Sequence, residues 1–166
     1  MLAETDRALA LDPQLQSAHL LRTVALMRTR RLDEAGKILA RLRAEYPGHP
    51  EVGTVWGQYL LSTGRTAEAL PVLEAAVALL PGEPSLWDAI GVANARLGRG
   101  DASRAAFERT VAISPGYLEG WMRLAAACQS IGDAAGRDRA LAEAGVRPGG
   151  PARVAAFRRT PGAVAP

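Results

Sequence analysis

The chain of 166 residues has one cysteine and two histidines, and only 5% of its residues are aromatic. A single cysteine, Cys128, permits neither an internal disulfide nor a cysteine metal cluster, and its place on an apolar helical stripe predicts a buried small side chain. His19 and His49 are far apart in sequence and have no carboxylate at ligand spacing, so we expect no metal site and no cofactor. No apolar run approaches the roughly 20 residues of a membrane span.

Signals for secretion and for catalysis are also missing. The opening MLAETDRALALDP contains acids and lacks the basic-then-apolar pattern of a signal peptide, which favours a cytoplasmic protein. No Gly-x-Ser-x-Gly nucleophile elbow occurs, and no predicted strand precedes the glycines to form a phosphate-binding loop. We therefore expect no catalytic residues and no enzymatic activity in this chain alone. Arginine outnumbers lysine 19 to 1, a bias typical of a GC-rich bacterial genome.

The basic residues are unevenly distributed along the chain. The net charge is +3 and the pI 9.6, yet residues 1–143 sum to −1, because four arginines and no acid follow Glu143. Aromatic residues do not interleave with the arginines, so we expect no nucleic-acid binding. Residues 22–43 carry a local charge of +5. Two interpretations stay open for this stretch: a solvated helix face, or a docking surface for an acidic partner.

A 34-residue repeat runs through the whole chain. Prolines recur at this interval, and so do two series of glycines and one inner apolar position. The members of these series are Pro13, Pro47, Pro81 and Pro115; Gly48, Gly82, Gly116 and Gly150; Gly64, Gly98 and Gly132; and Leu39, Leu73, Phe107 and Leu141. No secondary-structure preference alone produces such a period, so the chain consists of repeated units.

Residues 81–115 show the design of one unit. Pro84 predicts a helix start with Ser85 as N-cap, and Asp101 predicts the cap of a second helix after a glycine turn. The short turn predicts that the two helices pack antiparallel. Their apolar stripes are Trp87, Ile90, Gly91 and Asn94 on the first helix, and Ala106, Phe107, Val111 and Ile113 on the second.

The motifs of this unit point to a known family. Trp87-x2-Ile90-Gly91-x2-Asn94, then Ser103-x3-Phe107 and Pro115, follow the pattern Trp-x2-Leu-Gly-x2-Tyr, Ala-x3-Phe, Pro. The chain therefore resembles the tetratricopeptide repeat (TPR) family. The resemblance implies an all-α fold, an α-solenoid of antiparallel helix pairs with about four and a half repeats in a right-handed superhelix.

The period also predicts the domain organisation. We expect a repeat domain over 1–149, with a lone second helix at 1–15 and repeats at 16–49, 50–83, 84–117 and 118–149. The lone helix leaves an uncapped end, which favours homo-oligomerisation or an upstream domain. The tail at 150–166, rich in proline, glycine and arginine, is either mobile or a short capping helix that packs through Val154 and Phe157. Three repeats depart from the pattern: His19 and Arg22 replace large apolar residues in the first, Gly53 stands where a tryptophan ring is expected in the second, and the last has Arg137 at the small-residue position.

The resemblance further implies a concave groove lined by first helices, which holds a peptide or helix of a partner protein. By register its lining is Leu20, Val24, Met27, Thr54, Gln58, Leu61, Asp88, Val92, Ala95, Met122, Ala126 and Gln129. Arg28, Arg96 and Arg123 are placed to meet an acidic group at its edge. The alternative is that the apolar lining residues pack within the array itself.

Three functions agree with these expectations. The leading hypothesis is a non-catalytic scaffold or adaptor that binds one protein partner in an apolar groove. The second is the repeat portion, or a regulatory subunit, of a bacterial enzyme such as a transferase whose catalytic domain lies elsewhere. The third is a structural array that assembles with itself through its ends.

Overall fold

The computed structural model of the chain describes residues 2–12 and 15–159. Across these residues the regular structure is entirely α-helical, as the sequence predicts. The chain divides into two compact units, Met1–Pro81 and Gly82–Pro166, which we call unit 1 and unit 2. Pro13 and the end of the predicted tail, residues 160–166, lie outside the described residues.

In its described residues, unit 1 contains five helices, each packed against the next along the chain. They are α1 (Leu2–Leu11), α2 (Gln16–Arg28), α3 (Leu32–Glu45), α4 (Pro50–Ser62) and α5 (Thr66–Leu79). The first helices of the two repeats, α2 and α4, also contact each other directly. Its core includes Leu20, Leu39, Leu42, Val52 and Val55.

Unit 2 also contains five described helices. They are α6 (Pro84–Arg96), α7 (Gly100–Ile113), α8 (Leu118–Ser130), α9 (Ala134–Gly145) and α10 (Gly150–Arg159). Each packs on its sequence neighbour, and α10 lies against both α8 and α9. The core is built around Phe107, Leu124 and Leu141, with Val154 of α10 buried against it.

The 34-residue period appears directly in the helix bounds. The first helices α2, α4, α6 and α8 are equal in length and begin one repeat apart, at positions 16, 50, 84 and 118. The inner position of each second helix is buried, at Leu39, Leu73, Phe107 and Leu141. Opposite it lies a small residue: a Cβ placed on Gly57 would collide with the Leu73 side chain, and one on Gly91 with the Phe107 ring. Close approach of the two helices therefore requires glycine at this position in these two pairs.

Two predicted helix caps are wrong. Glu83 is the N-cap of α6, and its carboxylate accepts a hydrogen bond of 3.3 Å from the backbone N–H of Ser85. Ser85 lies inside the helix because Pro84 already occupies its first turn. Asp101 lies in the first turn of α7, which begins at Gly100, so it does not cap that helix.

The tail is helical where it is described. Residues 150–159 form α10, with Val154 buried and Phe157 partly buried against the core of unit 2. Arg153 extends the contact through a salt bridge of 2.5 Å to Glu119 on α8. Of the two alternatives for this segment, the structure has the short helix packed on the last repeat.

Candidate functional site

The predicted binding face of unit 1 lies on α2 and α4, which are direct neighbours. Val24 and Met27 of α2 and Gln58 of α4 are half-buried and keep part of their surface in solvent. Val24 and Met27 also contact the core of the unit. We call Val24, Met27 and Gln58 the unit 1 face.

The corresponding face of unit 2 lies on α6 and α8. Ala95 is exposed, while Val92, Ala126 and Gln129 are half-buried. These four residues form the unit 2 face. Both faces combine small or aliphatic side chains with a glutamine amide, so each offers apolar contact and one polar group for orientation.

Four predicted lining residues are instead buried. Leu20, Thr54, Leu61 and Met122 keep only 6–9% of their surface exposed. Leu20 packs into the core of unit 1 and Met122 into that of unit 2, while the Thr54 hydroxyl donates to the carbonyl of Pro50 at 2.8 Å. Because neighbouring helices cover these positions, little of the four side chains is exposed to solvent. These four residues pack within the array and do not line a groove.

Asp88 and Arg123 form an ion pair between α6 and α8. Arg123 also bonds Glu119 on its own helix at 3.4 Å. Burial raises the pKa of the Asp88 carboxyl above its ordinary value, against the opposing pull of Arg123. Arg123, which the sequence predicts to meet an acidic partner, therefore already pairs with two carboxylates of its own chain, and one of them is Asp88 of α6.

The other two predicted arginines lie at helix ends. Arg28 and Arg96 are the last residues of α2 and α6, and both are exposed. A cation at a helix C-terminus is favoured by the helix dipole, so this placement has a structural reason that is independent of any acidic partner.

The unusual residues of the first repeat make polar contacts between helices. Arg22 pairs with Asp6 of α1, and His19 Nε2 lies 2.7 Å from a guanidinium nitrogen of Arg41 on α3. Within the basic stretch 22–43, Arg31 also pairs with Glu34 at 2.6 Å. Part of the local positive charge is thus matched inside the unit, while Lys37 stays exposed.

Each tryptophan has an arginine over its ring, which the sequence analysis did not anticipate. The guanidinium carbon of Arg43 lies 4.4 Å from the Trp56 ring centre, that of Arg109 5.5 Å from Trp87, and that of Arg147 4.8 Å from Trp121. Such contacts contribute about 0.5–1 kcal/mol each at exposed sites. The first of these arginines precedes its ring in sequence and the other two follow theirs, so no helical periodicity connects the pairs.

Cys128 is buried, as predicted, and burial raises the pKa of its thiol.

Within residues 2–12 and 15–159, no three side chains of His, Cys, Asp or Glu come together in a way that would hold a metal ion. In the same residues, none of the helices has the length and apolar character needed to cross a bilayer.

Comparison with known proteins identifies the family. Two family models described as "Tetratricopeptide repeat" match the sequence, one over residues 2–55 and the other over residues 54–117. Together with the helix pairs at 34-residue intervals, these matches decide the question. The chain belongs to the tetratricopeptide repeat family. As a TPR protein it is a repeat module of the kind that mediates protein–protein interaction.

Solved TPR structures share the fold. A thermophilic TPR protein from Thermus thermophilus superposes with a TM-score of 0.82 at 21% identity, covering 96% of this chain and 89% of its own. A crystal structure of MamA gives 0.70 at 16% identity, with 96% and 90% covered. MamA 41-end from Desulfovibrio magneticus RS-1 gives 0.67 at 18%, with 95% and 84% covered. At these identities the likeness shows the fold alone. No curated protein matches the sequence.

Proposed function

We propose that this TPR chain is a non-catalytic adaptor that holds an apolar helix or extended segment of one partner protein on its first helices. The observation that carries the proposal is the adjacency of first helices within each unit: α2 packs on α4, and Asp88 joins α6 to Arg123 of α8. Adjacent helices present their half-exposed side chains side by side, which is the arrangement that helix-in-groove recognition uses.

The chemistry of the two faces favours an apolar partner. Val24, Met27, Val92 and Ala95 supply apolar contact, which contributes about 25 cal/mol for each Å² removed from water. Gln58 and Gln129 supply the amides that would fix orientation. Since Arg123 already pairs with Asp88 and Glu119, contact with an acidic group of the partner would fall to Arg28 at the end of α2. We also propose a cytoplasmic location for the protein.

Quantitative affinity capture from native lysate tests this proposal. Val24→Glu and Ala95→Glu each place a charge on a face, and Ala40→Glu and Ala105→Glu are matched controls at exposed positions of the second helices α3 and α7. We expect a stoichiometric partner that both face variants lose and both controls keep. Circular dichroism must show native helicity in all four, since Val24 also touches the core of unit 1.

Other outcomes of the same experiment decide between the remaining functions. Capture that all four variants retain contradicts binding through the faces. An enzyme as the stoichiometric partner supports the regulatory-subunit alternative. If no partner is captured and light scattering gives a multiple of the chain mass that rises with concentration, self-assembly replaces the adaptor model.

A further inference from the structure

A cavity of about 530 Å³ lies in unit 1, between the end of α3, the start of α4 and the outer side of α5. Its volume falls in the range of pockets that hold small organic groups. The lining is mainly apolar, with Arg43, Tyr46 and His49 as its polar members. None of the three residues of the unit 1 face lines it, so the cavity is a separate feature of the surface.

The cavity lies at the position where the sequence departs from the repeat pattern. Gly53 lines it, and the residues one and two repeats later are Trp87 and Trp121. A Cβ added at Gly53 would meet only the Cβ of Ala76, at the ordinary contact distance of 3.6 Å. The space that the two following repeats fill with an indole ring is therefore left open by a glycine. Trp56 stacks on Tyr59 at 5.2 Å and forms one wall without filling it.

Trp121 shows what an indole contacts at this position. Its Nε1–H donates to the carbonyl of Pro115 at 2.8 Å, and Arg147 lies over the ring. Arg147 also donates to the same carbonyl at 2.7 Å.

The counterparts of these contact residues line the cavity of unit 1. Pro47 and Leu79, two repeats before Pro115 and Arg147, are both in its wall. The Pro47 carbonyl thus stands where Pro115 accepts two hydrogen bonds, but Gly53 and Leu79 have no side-chain N–H to donate. An indole that entered the cavity would restore one of these donors.

Two further residues of the cavity agree with this correspondence. Ala75, also in the wall, is one repeat before Arg109, which covers the ring of Trp87. His49 Nδ1 is buried and has no hydrogen-bond partner within the described part of the chain. The cavity therefore combines a ring-sized apolar space with a carbonyl acceptor, and one residue of its wall has a buried nitrogen without a partner.

We propose that this cavity binds the indole ring of a tryptophan carried by another polypeptide. The ring lies against Gly53 and Trp56, its N–H donates to the Pro47 carbonyl, and Arg43 borders it. The rim favours a polypeptide over free indole: Leu79 is 62% exposed and Ala75 is exposed as well, so residues flanking the tryptophan would cover apolar surface that a lone ring leaves in water. This site goes beyond the adaptor function proposed above and does not depend on it.

Titration of the intact, isotope-labelled chain with N-acetyl-L-tryptophanamide, followed by NMR, tests the proposal. Saturable shifts are expected at Gly53 and His49, with N-acetyl-L-leucinamide binding about tenfold more weakly because it lacks the ring and its N–H. Gly53→Trp places the chain's own indole in the cavity and is expected to weaken probe binding by at least about tenfold. The N1-methylated probe should also bind more weakly, since it cannot donate to Pro47.

A second variant keeps the test decisive if Gly53→Trp misfolds. Leu79→Arg changes an exposed residue and restores the counterpart of Arg147, so it should tighten probe binding by about two- to fivefold. Absence of saturable shifts, or equal affinities for the parent chain and both variants, overturns the proposal. Free indole that binds tenfold more tightly than the capped amino acid would reassign the cavity to a small molecule. The residues of the unit 1 face do not line the cavity. A negative result for tryptophan binding therefore does not affect the test of the adaptor function.

Discussion

At the scale of single residues, Arg30 has the backbone conformation of a glycine. Its φ is +63°, and the residues at 34-residue intervals after it, Gly64, Gly98 and Gly132, have φ between 72° and 79°. A side chain in this left-handed region costs about 1–2 kcal/mol because its Cβ crowds the following carbonyl. We therefore expect Arg30→Gly to raise the free energy of unfolding by about 1 kcal/mol, measured by urea denaturation.

Arg30→Ala is the matched control for this substitution. It removes the same charge from the basic stretch but keeps the Cβ, so we expect little or no gain in stability. If both variants raise the free energy of unfolding equally, Arg30 destabilises the fold through charge repulsion rather than through its backbone conformation.

Asp88 gives unit 2 a pH dependence of predictable sign. Because the folded-state pKa is raised above the ordinary value, the folded chain takes up this proton at higher pH than the unfolded chain. The contribution of Asp88 to stability is therefore present at pH below 3.8 and is lost as pH rises through the folded pKa. Asp88→Asn, which cannot ionise, should be less destabilising at pH 7 than at pH 4, measured by urea denaturation.

The parent chain, measured at the same two pH values, supplies the comparison for this experiment. If the loss caused by Asp88→Asn instead grows toward pH 7, attraction to Arg123 outweighs burial and the expected sign is wrong.

At the scale of elements, α10 covers the last helix pair through a narrow contact. Val154 is buried, whereas its neighbour Ala155 is exposed. Val154→Asp should lower the free energy of unfolding by about 3 kcal/mol, because it buries an unpaired charge and removes apolar contact. Ala155→Asp should change it by less than about 0.5 kcal/mol. Equal effects in denaturant unfolding would mean that α10 does not pack as described.

The Arg153 to Glu119 salt bridge adds less to this contact than Val154 does. Its two side chains are 51% and 34% exposed, and ion pairs with such exposure typically contribute below about 1 kcal/mol. The position of α10 therefore depends chiefly on its apolar residues.

Helix positions were predictable from the sequence because a 34-residue interval constrains every repeat at once. Helix caps were less predictable. Ser85 and Asp101 are residue types that often cap helices, but α6 begins at Pro84 and α7 at Gly100, so both residues lie inside their helices. Periodicity also could not reveal the pairing of Asp88 with Arg123, whose separation of 35 residues does not fit the repeat.

Burial on the faces was the least predictable property. Leu20 and Val24 lie one turn apart on α2, but only the first is buried, because it packs among the core side chains of α3 and α4. The helical spacing of these residues assigns both to one face but does not predict which of them packs into the core. By contrast, Gly53 in place of a ring was a visible departure from the pattern, and it marks the cavity of unit 1.

At the scale of the molecule, each unit has a core of its own. Unit 2 has Phe107, Leu124 and Leu141 at its centre and α10 packed over its last pair. We expect a fragment of residues 82–166 to fold by itself and to unfold cooperatively, since repeats gain most of their stability from nearest neighbours. Circular dichroism in urea measures this. A fragment with little helix, or with a gradual transition, would show that its core is insufficient alone.

The buried thiol of Cys128 is a natural probe of local opening in unit 2. The cysteine has only 2% of its surface exposed, and its raised pKa keeps the reactive thiolate scarce in the folded state. A thiol-selective alkylating reagent in excess can therefore modify Cys128 only during openings of the α8 and α9 pair. The chain has no other cysteine, so the rate at which this thiol is modified measures how often that part of the protein opens. The measurement requires no mutation.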